Sequence, residues 1–341
     1  MFSILWLCLT LPLVAPAQSA SQPLTARIRS GQSALDAGDY SRAVQEFEKA
    51  RELSPENLEV NRGLVLSYLQ FGQLGNAQRI GEFAVTLWPR DVQLQHWLGL
   101  VYFKQGQSEK ALSALELSES LSPKSSDIHF DIALVHLSRD QYSAAAIELE
   151  KAIELEPDAA LPHVLLGRAY QNSNRTLKAV GQFQTALRLE PNIPLGHYHL
   201  GFAYASLGRN REAIAEYQKE VVRTPDNALV LYHLGHCELE AGEWKSAVAH
   251  LKRALEVDPK NSDASYDLGK ALLSDGQLEE AVPALRKAAE LNPDNPNPHY
   301  QLARALEKAG NKEQAEEEFQ IFAALKKAQP ATGGMATGTI Q

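Results

Sequence analysis

Cysteine is almost absent. The chain holds two, Cys8 and Cys237, and only Cys237 lies beyond the apolar stretch at the N-terminus. No disulfide can form within the remainder, so stability has to come from packing, which a long stacked array supplies without covalent staples. Cys237 stands between His236 and Glu238 with no activating group beside it, and reads as a small buried residue. Basic runs are missing too. No run of Lys or Arg exceeds a pair and the formal net charge is -9, so nucleic acid is disfavoured as a partner and encounter tilts towards basic ones. Nothing has the pattern of a nucleophile elbow, a phosphate loop or a zinc-protease helix, so the chain reads as non-enzymatic and without a cofactor.

Charge is also missing from one end. Met1 to Ala17 contains no Lys, Arg, Asp or Glu and runs from Phe2 to Leu11 as an apolar core before Pro12. This reads as a secretory signal peptide, residues 1–17, with Ala15-Pro16-Ala17 as the small-x-small cleavage site and Gln18 as the first mature residue. The stretch is shorter than the roughly 20 apolar residues a membrane span requires, and prolines interrupt it. Trp6 and Leu7 are too large for a lipid attachment at Cys8. The expectation is a secreted or periplasmic protein with no stable membrane span after cleavage. Residues 18–23 form a lead-in, and residues 330–341, without charge, are expected to be a disordered tail.

What the chain does have is a period. Leu24 to Gln329 divides into nine consecutive copies of 34 residues: 24–57, 58–91, 92–125, 126–159, 160–193, 194–227, 228–261, 262–295 and 296–329. The twentieth position is alanine throughout, from Ala43 and Ala77 to Ala281 and Ala315. The eighth is Gly or Ala in every copy but the second, which has Val65, so two helices can cross closely there. The fifteenth is Gly, or Asp140 and Asn174, the residue types that accept a left-handed backbone at a helix end. Pro55, Pro89, Pro123, Pro157, Pro191, Pro225, Pro259 and Pro293 stop each second helix. Asp91, Asp158, Asn192, Asn227 and Asn261 are placed to cap the helix that follows. Two helices and two turns per copy result.

These residues resemble the tetratricopeptide repeat (TPR) family, whose unit carries Leu-Gly, then Tyr, a turn Gly, Ala, an aromatic, Ala and Pro at these spacings. The resemblance implies an all-α fold: an α-solenoid, a right-handed superhelix of about nine helix-turn-helix units with a concave inner face. Five departures stand out. The first copy is polar at its start, as a terminal repeat should be. Gly81 replaces a large core residue and marks a soft spot, and Glu220 replaces a small one, where its charge has to reach solvent or a partner. Pro283 falls in the early part of a second helix, where it suits a first-turn or slightly bent entry. The ninth copy has no closing proline, so Glu313 to Ala328 runs as one helix with Phe319, Phe322 and Leu325 facing in, leaving apolar surface for self-association through the C-terminal repeat.

In the family the second, fifth, ninth, twelfth and thirteenth positions point to the inner face. Here the fifth ends in a ladder, Tyr198, Tyr232, Tyr266 and Tyr300, with Phe130 earlier, and the ninth brings Arg168, Phe202, His236, Lys270 and Arg304. These ten are the candidate partner-binding residues. Flat apolar surface with hydroxyls and positive charge suits an extended peptide of a protein partner or, as the alternative, a polysaccharide, while packing alone is the competing account of the tyrosines. No copy has Lys followed four residues later by Asn, so a terminal-carboxylate grip of the family's kind is not implied. His129, His163, His197 and His299 share the fourth position, where they read as replacements for a bulky aromatic, and the pair His233 and His236 lacks an evident acidic third ligand, so no metal site is expected. Asn174-Arg175-Thr176 is a formal glycosylation triplet on a turn. The reading is an exported scaffold or adaptor of an envelope-associated complex.

Overall fold

The computed structural model describes residues 21–328, which are all-α; the expected signal peptide, the first residues of the lead-in and the tail lie outside them. Eighteen helices follow one another without a strand among the described residues. They form two compact units, one ending at Pro157 and the other starting at Asp158. The first holds α1 (Ser21–Asp36), α2 (Tyr40–Leu53), α3 (Leu58–Phe71), α4 (Leu74–Leu87), α5 (Val92–Lys104), α6 (Ser108–Leu121), α7 (Ser126–Leu137) and α8 (Tyr142–Leu155). The second holds α9 (Ala160–Asn172), α10 (Thr176–Leu189), α11 (Gly196–Ser206), α12 (Asn210–Arg223), α13 (Ala228–Glu240) and α14 (Trp244–Val257). It ends with α15 (Ser262–Ser274), α16 (Leu278–Leu291), α17 (Pro296–Lys308) and α18 (Lys312–Ala328). Helix α1 starts inside the lead-in, at Ser21.

Each hairpin turns on the residue the repeat pattern singled out. All nine fifteenth positions have positive φ, including Asp140 at 56° and Asn174 at 62°. At each of them the next residue's amide donates back to the carbonyl five residues earlier, as from Gln73 to Tyr68 at 2.9 Å and Arg209 to Tyr204 at 3.0 Å. This closes the C-terminus of every first helix. The caps of the first helices fall two residues after the proline. Asn57, Asp91, Asn227, Asn261 and Asn295 accept from the first-turn amides. Asp158 and Asn192, directly after their prolines, do not cap: Asp158 stands one residue before the cap position, held by Ala159, and Asn192 three residues before it, held by Leu195.

Within each unit, consecutive odd-numbered helices touch one another while the even-numbered ones touch only their neighbours in sequence, so the odd helices form the inner layer. The two layers interlock at one recurring contact. A methyl group at Gly31, Gly99, Gly167, Gly201, Gly235 or Gly269 would lie 2.4–2.9 Å from the large side chain sixteen residues on, respectively Phe47, Leu115, Phe183, Tyr217, Leu251 and Leu285. Glycine on the first helix therefore makes room for the ring or leucine of the second, each buried side chain contributing about 1.5–3 kcal/mol. The twentieth-position alanines lie beside these contacts at 0–3% exposure. Copy two carries the bulk on its first helix, with Val65 fully buried, and Leu98 of the next copy reaches within 3.0 Å of a methyl placed on Gly81. The expected soft spot is thus filled from the neighbouring repeat.

Two other expectations are corrected. Glu220 reaches neither solvent nor a partner: it is 1% exposed and its Oε2 has no hydrogen-bond partner. Pro283 is the sixth residue of α16 and not in its first turn; it lies exposed, and the Glu279 carbonyl loses its intrahelical donor. The last helix, α18, runs through Ala328 as anticipated, with Phe319, Phe322 and Leu325 half-buried.

Candidate binding face

The fourth position is a polar stitch and not a seat for a bulky ring. His129, His197 and His299 pair through Nδ1 with Glu148, Glu216 and Glu318 at 2.6–2.8 Å, His163 pairs with Gln182 at 2.7 Å, and Arg27 with Glu46 at 2.7 Å, each partner nineteen residues on. Asn61, Gln95 and His129 also bond the carbonyls of Pro55, Pro89 and Pro123 in the preceding copy. Glu119, His129 and Glu148 gather three potential metal-ligating atoms within 4.8 Å. Lys151 already bridges both carboxylates at 3.0 and 2.9 Å, so the group is a closed ion network.

On the inner layer of the first unit, Phe130 is half-buried on α7, and the fifth-position groups before it are neutralised: Arg62 pairs with Asp91, and His96 with Asp131 at 2.6 Å. The second unit is different. Tyr198, Phe202, Tyr232 and His236 come together with His233 and His199 into one aromatic group. His233 is its centre, 5.6 Å from Tyr198, 5.4 Å from Phe202 and 5.0 Å from Tyr232, and stacked on the fully buried Tyr217 at 6.0 Å. His199 stacks on Phe183 at 5.5 Å. Burial pushes His233 and His199 down to about 4, Arg168 adding to the effect on His199, so both are neutral at pH 7. Burial likewise pushes the Tyr198 hydroxyl up to about 12 and raises Tyr232.

His236 behaves in the opposite way. Its Nδ1 lies 2.7 Å from Asp267, and that hydrogen bond raises its pKa. The acidic partner not evident beside His233 and His236 in the sequence is therefore supplied by the next copy. It serves His236 alone, because His233 is turned into the rings. Lys270 lies 3.4 Å from Glu240 and 4.0 Å from Asp267 while covering the Tyr266 ring at 5.5 Å. The cations at these two positions are thus balanced inside the protein. Arg304 stands over Tyr300 at 5.8 Å, and Tyr300, 38% exposed, rests against Phe319 and Phe322. Arg168 is exposed on α9 with no carboxylate beside it among the described residues. The tyrosine ladder therefore splits. Tyr198 and Tyr232 belong to the aromatic group, whereas Tyr266 and Tyr300 each carry a cation on one face.

The fifth and ninth positions leave out the second-position leucines Leu161 and Leu229, 52% and 47% exposed on the inner-layer helices α9 and α13. Leu195, between them in register, has a left-handed backbone with φ 57°. Pro194 takes the place where a first helix normally starts, and α11 begins only at Gly196. The leucines occupy a position already assigned to the inner face and were legible on that ground.

Arrays of antiparallel helix pairs with these contacts define a class of repeat protein. The sequence matches two tetratricopeptide repeat profiles, one at residues 62–126, 97–160, 164–228 and 232–296, the other at 34–80 and 272–330. The chain belongs to the tetratricopeptide repeat family. Among solved structures it is similar to PilF of Pseudomonas aeruginosa, at 15% identity over 62% of this chain and 96% of that one with a TM-score of 0.54. It is also similar to YrrB, described as a TPR protein with an unusual peptide-binding site, at 22% identity over 55% and 96% with a TM-score of 0.50. MamA aligns at 24% identity over 48% and 95% with a TM-score of 0.46. These likenesses concern the fold. Among curated proteins none matches the sequence. No helix among the described residues is long and apolar enough to cross a membrane.

Proposed function

We propose that this chain is an exported, non-enzymatic TPR adaptor that holds an extended segment of a protein partner against the inner layer of its second unit and so supports an envelope-associated assembly. The observation that carries this reading is the apolar surface there: the aromatic group around His233 on α11 and α13, with Leu161 on α9 and Leu229 on α13, both about half exposed, in the same inner layer. Aromatic anchors beside exposed leucines are the composition of a peptide-binding surface. Export rests on the leader sequence alone.

The polysaccharide alternative needs tyrosine faces free to stack on sugar rings. Lys270 and Arg304 lie over Tyr266 and Tyr300, and the Tyr198 ring is engaged by Phe202, Tyr217 and His233. This favours a peptide. The test is affinity capture from envelope extract with the chain from Gln18 onward, beside a Phe202→Ala/Tyr232→Ala variant of equal helix content. A protein retained by the first and lost by the second supports the reading. Equal capture by both, or capture of polysaccharide alone, contradicts it.

A further inference from the structure

The repeat allows one site to be compared with another inside the same unit. The ninth position of one copy meets the sixth position of the next. His236 meets Asp267 there at 2.7 Å, and Phe202 meets His233 at 5.4 Å. One copy earlier the same register brings Arg168 towards His199, whose protonation Arg168 opposes. Where the later pair joins a cation to a carboxylate, this one joins a cation to a neutral imidazole stacked on Phe183. Arg168 is exposed and has no ion-pair partner among the described residues. Gln171, three residues on and so on the same side of α9, has an amide nitrogen shielded from solvent without an acceptor. Both groups are donors, and the protein supplies neither with an oxygen.

We propose that Arg168, with Gln171 beside it, receives a carboxylate from the bound peptide, and that the Phe202 and Tyr232 rings take the aromatic side chain next to that carboxylate. This rests on the peptide-binding reading above and narrows it: the partner segment carries Asp or Glu next to a bulky aromatic residue within an extended run. The source is an acidic side chain inside the segment and not a chain terminus. A terminal carboxylate would end the peptide at Arg168, whereas an internal one lets its backbone continue past the exposed Leu161 on the same helix. A guanidinium suits the task because it bonds a carboxylate through two parallel N–H groups.

The experiment uses the chain from Gln18 onward and fluorescent ten-residue peptides, read by anisotropy at low and high salt. One peptide contains Glu-Phe at its centre with an amidated end, one contains Gln-Phe, one contains Glu-Ala, and one ends in Phe with a free carboxylate. The Glu-Phe peptide should bind about tenfold more tightly than the Gln-Phe peptide, as for a charge-assisted hydrogen-bonded pair. That advantage should disappear in Arg168→Ala and in high salt. It should persist in the control Arg211→Ala, which removes an exposed cation from α12. Arg168→Glu should prefer a Lys-Phe peptide. Equal binding of Glu-Phe and Gln-Phe, both lost in Phe202→Ala, would overturn the carboxylate assignment and leave the peptide face standing. Tighter binding of the free-terminus peptide would overturn the internal source. Failure of every peptide, with equal capture of proteins by wild type and Phe202→Ala, would bring down the peptide-binding reading together with this one.

Discussion

Gly201 lies against Tyr217 so closely that a methyl group on it would stand 2.9 Å from the ring, while Tyr217 in turn stacks on His233 of the next copy. The spacing of the two layers in the second unit and the floor of its aromatic group therefore depend on the same pair. Gly201→Ala should destabilise the protein by about 1–3 kcal/mol, because neither the ring nor the helix has room to yield. Gly181→Ala, in α10 with nothing within 4 Å of the added methyl, should instead stabilise by about 0.5–1 kcal/mol. Thermal or urea unfolding of the two variants would show shifts of opposite sign; a shared sign would mean that the close contact is not holding the layers.

That contrast was readable from the period alone, since a glycine recurring at one register position and a large residue at another are local signals. The left-handed turn residues were readable for the same reason: one backbone requirement admits few residue types, and Asp140 and Asn174 satisfy it as Gly38 does. His236 with Asp267 was not readable. The two are far apart in sequence and belong to different copies, so their contact depends on how one first helix lies on the next. Leu195 shows a similar limit. The register places it inside a helix, but α11 begins only at Gly196, two residues late, and leaves Leu195 in a left-handed cap, although α17 starts on a proline at the same register position.

Leu195→Gly should relieve that strain. A left-handed leucine costs about 1–2 kcal/mol, and the half-buried side chain gives back only part of this through packing. The variant should unfold at slightly higher denaturant concentration. A lower midpoint would show that the side chain's packing outweighs the backbone term.

The three inner histidines make stability depend on pH in opposing directions. His199 and His233 are held down to about 4 by burial, so between the unfolded value near 6.5 and about 4 the unfolded chain binds more protons and acid destabilises the fold. Each contributes up to about 3 kcal/mol over that window. His236 is raised by Asp267; its stabilisation is full below the unfolded value and fades as pH rises through the raised one. Urea midpoints should fall between pH 6.5 and 4.5, and His199→Phe/His233→Phe should flatten that fall. An unchanged slope in the double variant would place the acid sensitivity elsewhere. Asp267→Asn should return the His236 ring titration, followed by NMR, towards 6.5.

Glu238 is 1% exposed and its carboxylate lies 2.8 Å from His250 on α14. Removing the histidine alone strands a charge in the core. His250→Ala should cost about 3–5 kcal/mol, whereas Glu238→Leu with His250→Leu should be close to neutral, because the pair and its desolvation cost vanish together. Equal losses in the single and double variants would mean that the pair contributes packing and not electrostatics.

The central claim is that the inner layer of the second unit binds an extended peptide through its aromatic group. Its most direct test is selection of a random peptide library on the chain from Gln18 onward, with each recovered sequence re-measured against Phe202→Ala/Tyr232→Ala of matched helix content. The prediction is a shared motif with an acidic residue beside an aromatic one, bound by the wild type and weakened at least tenfold in the variant, as expected when aromatic anchors are truncated. Recovery of no motif, or of a motif that both proteins bind equally, would contradict the claim.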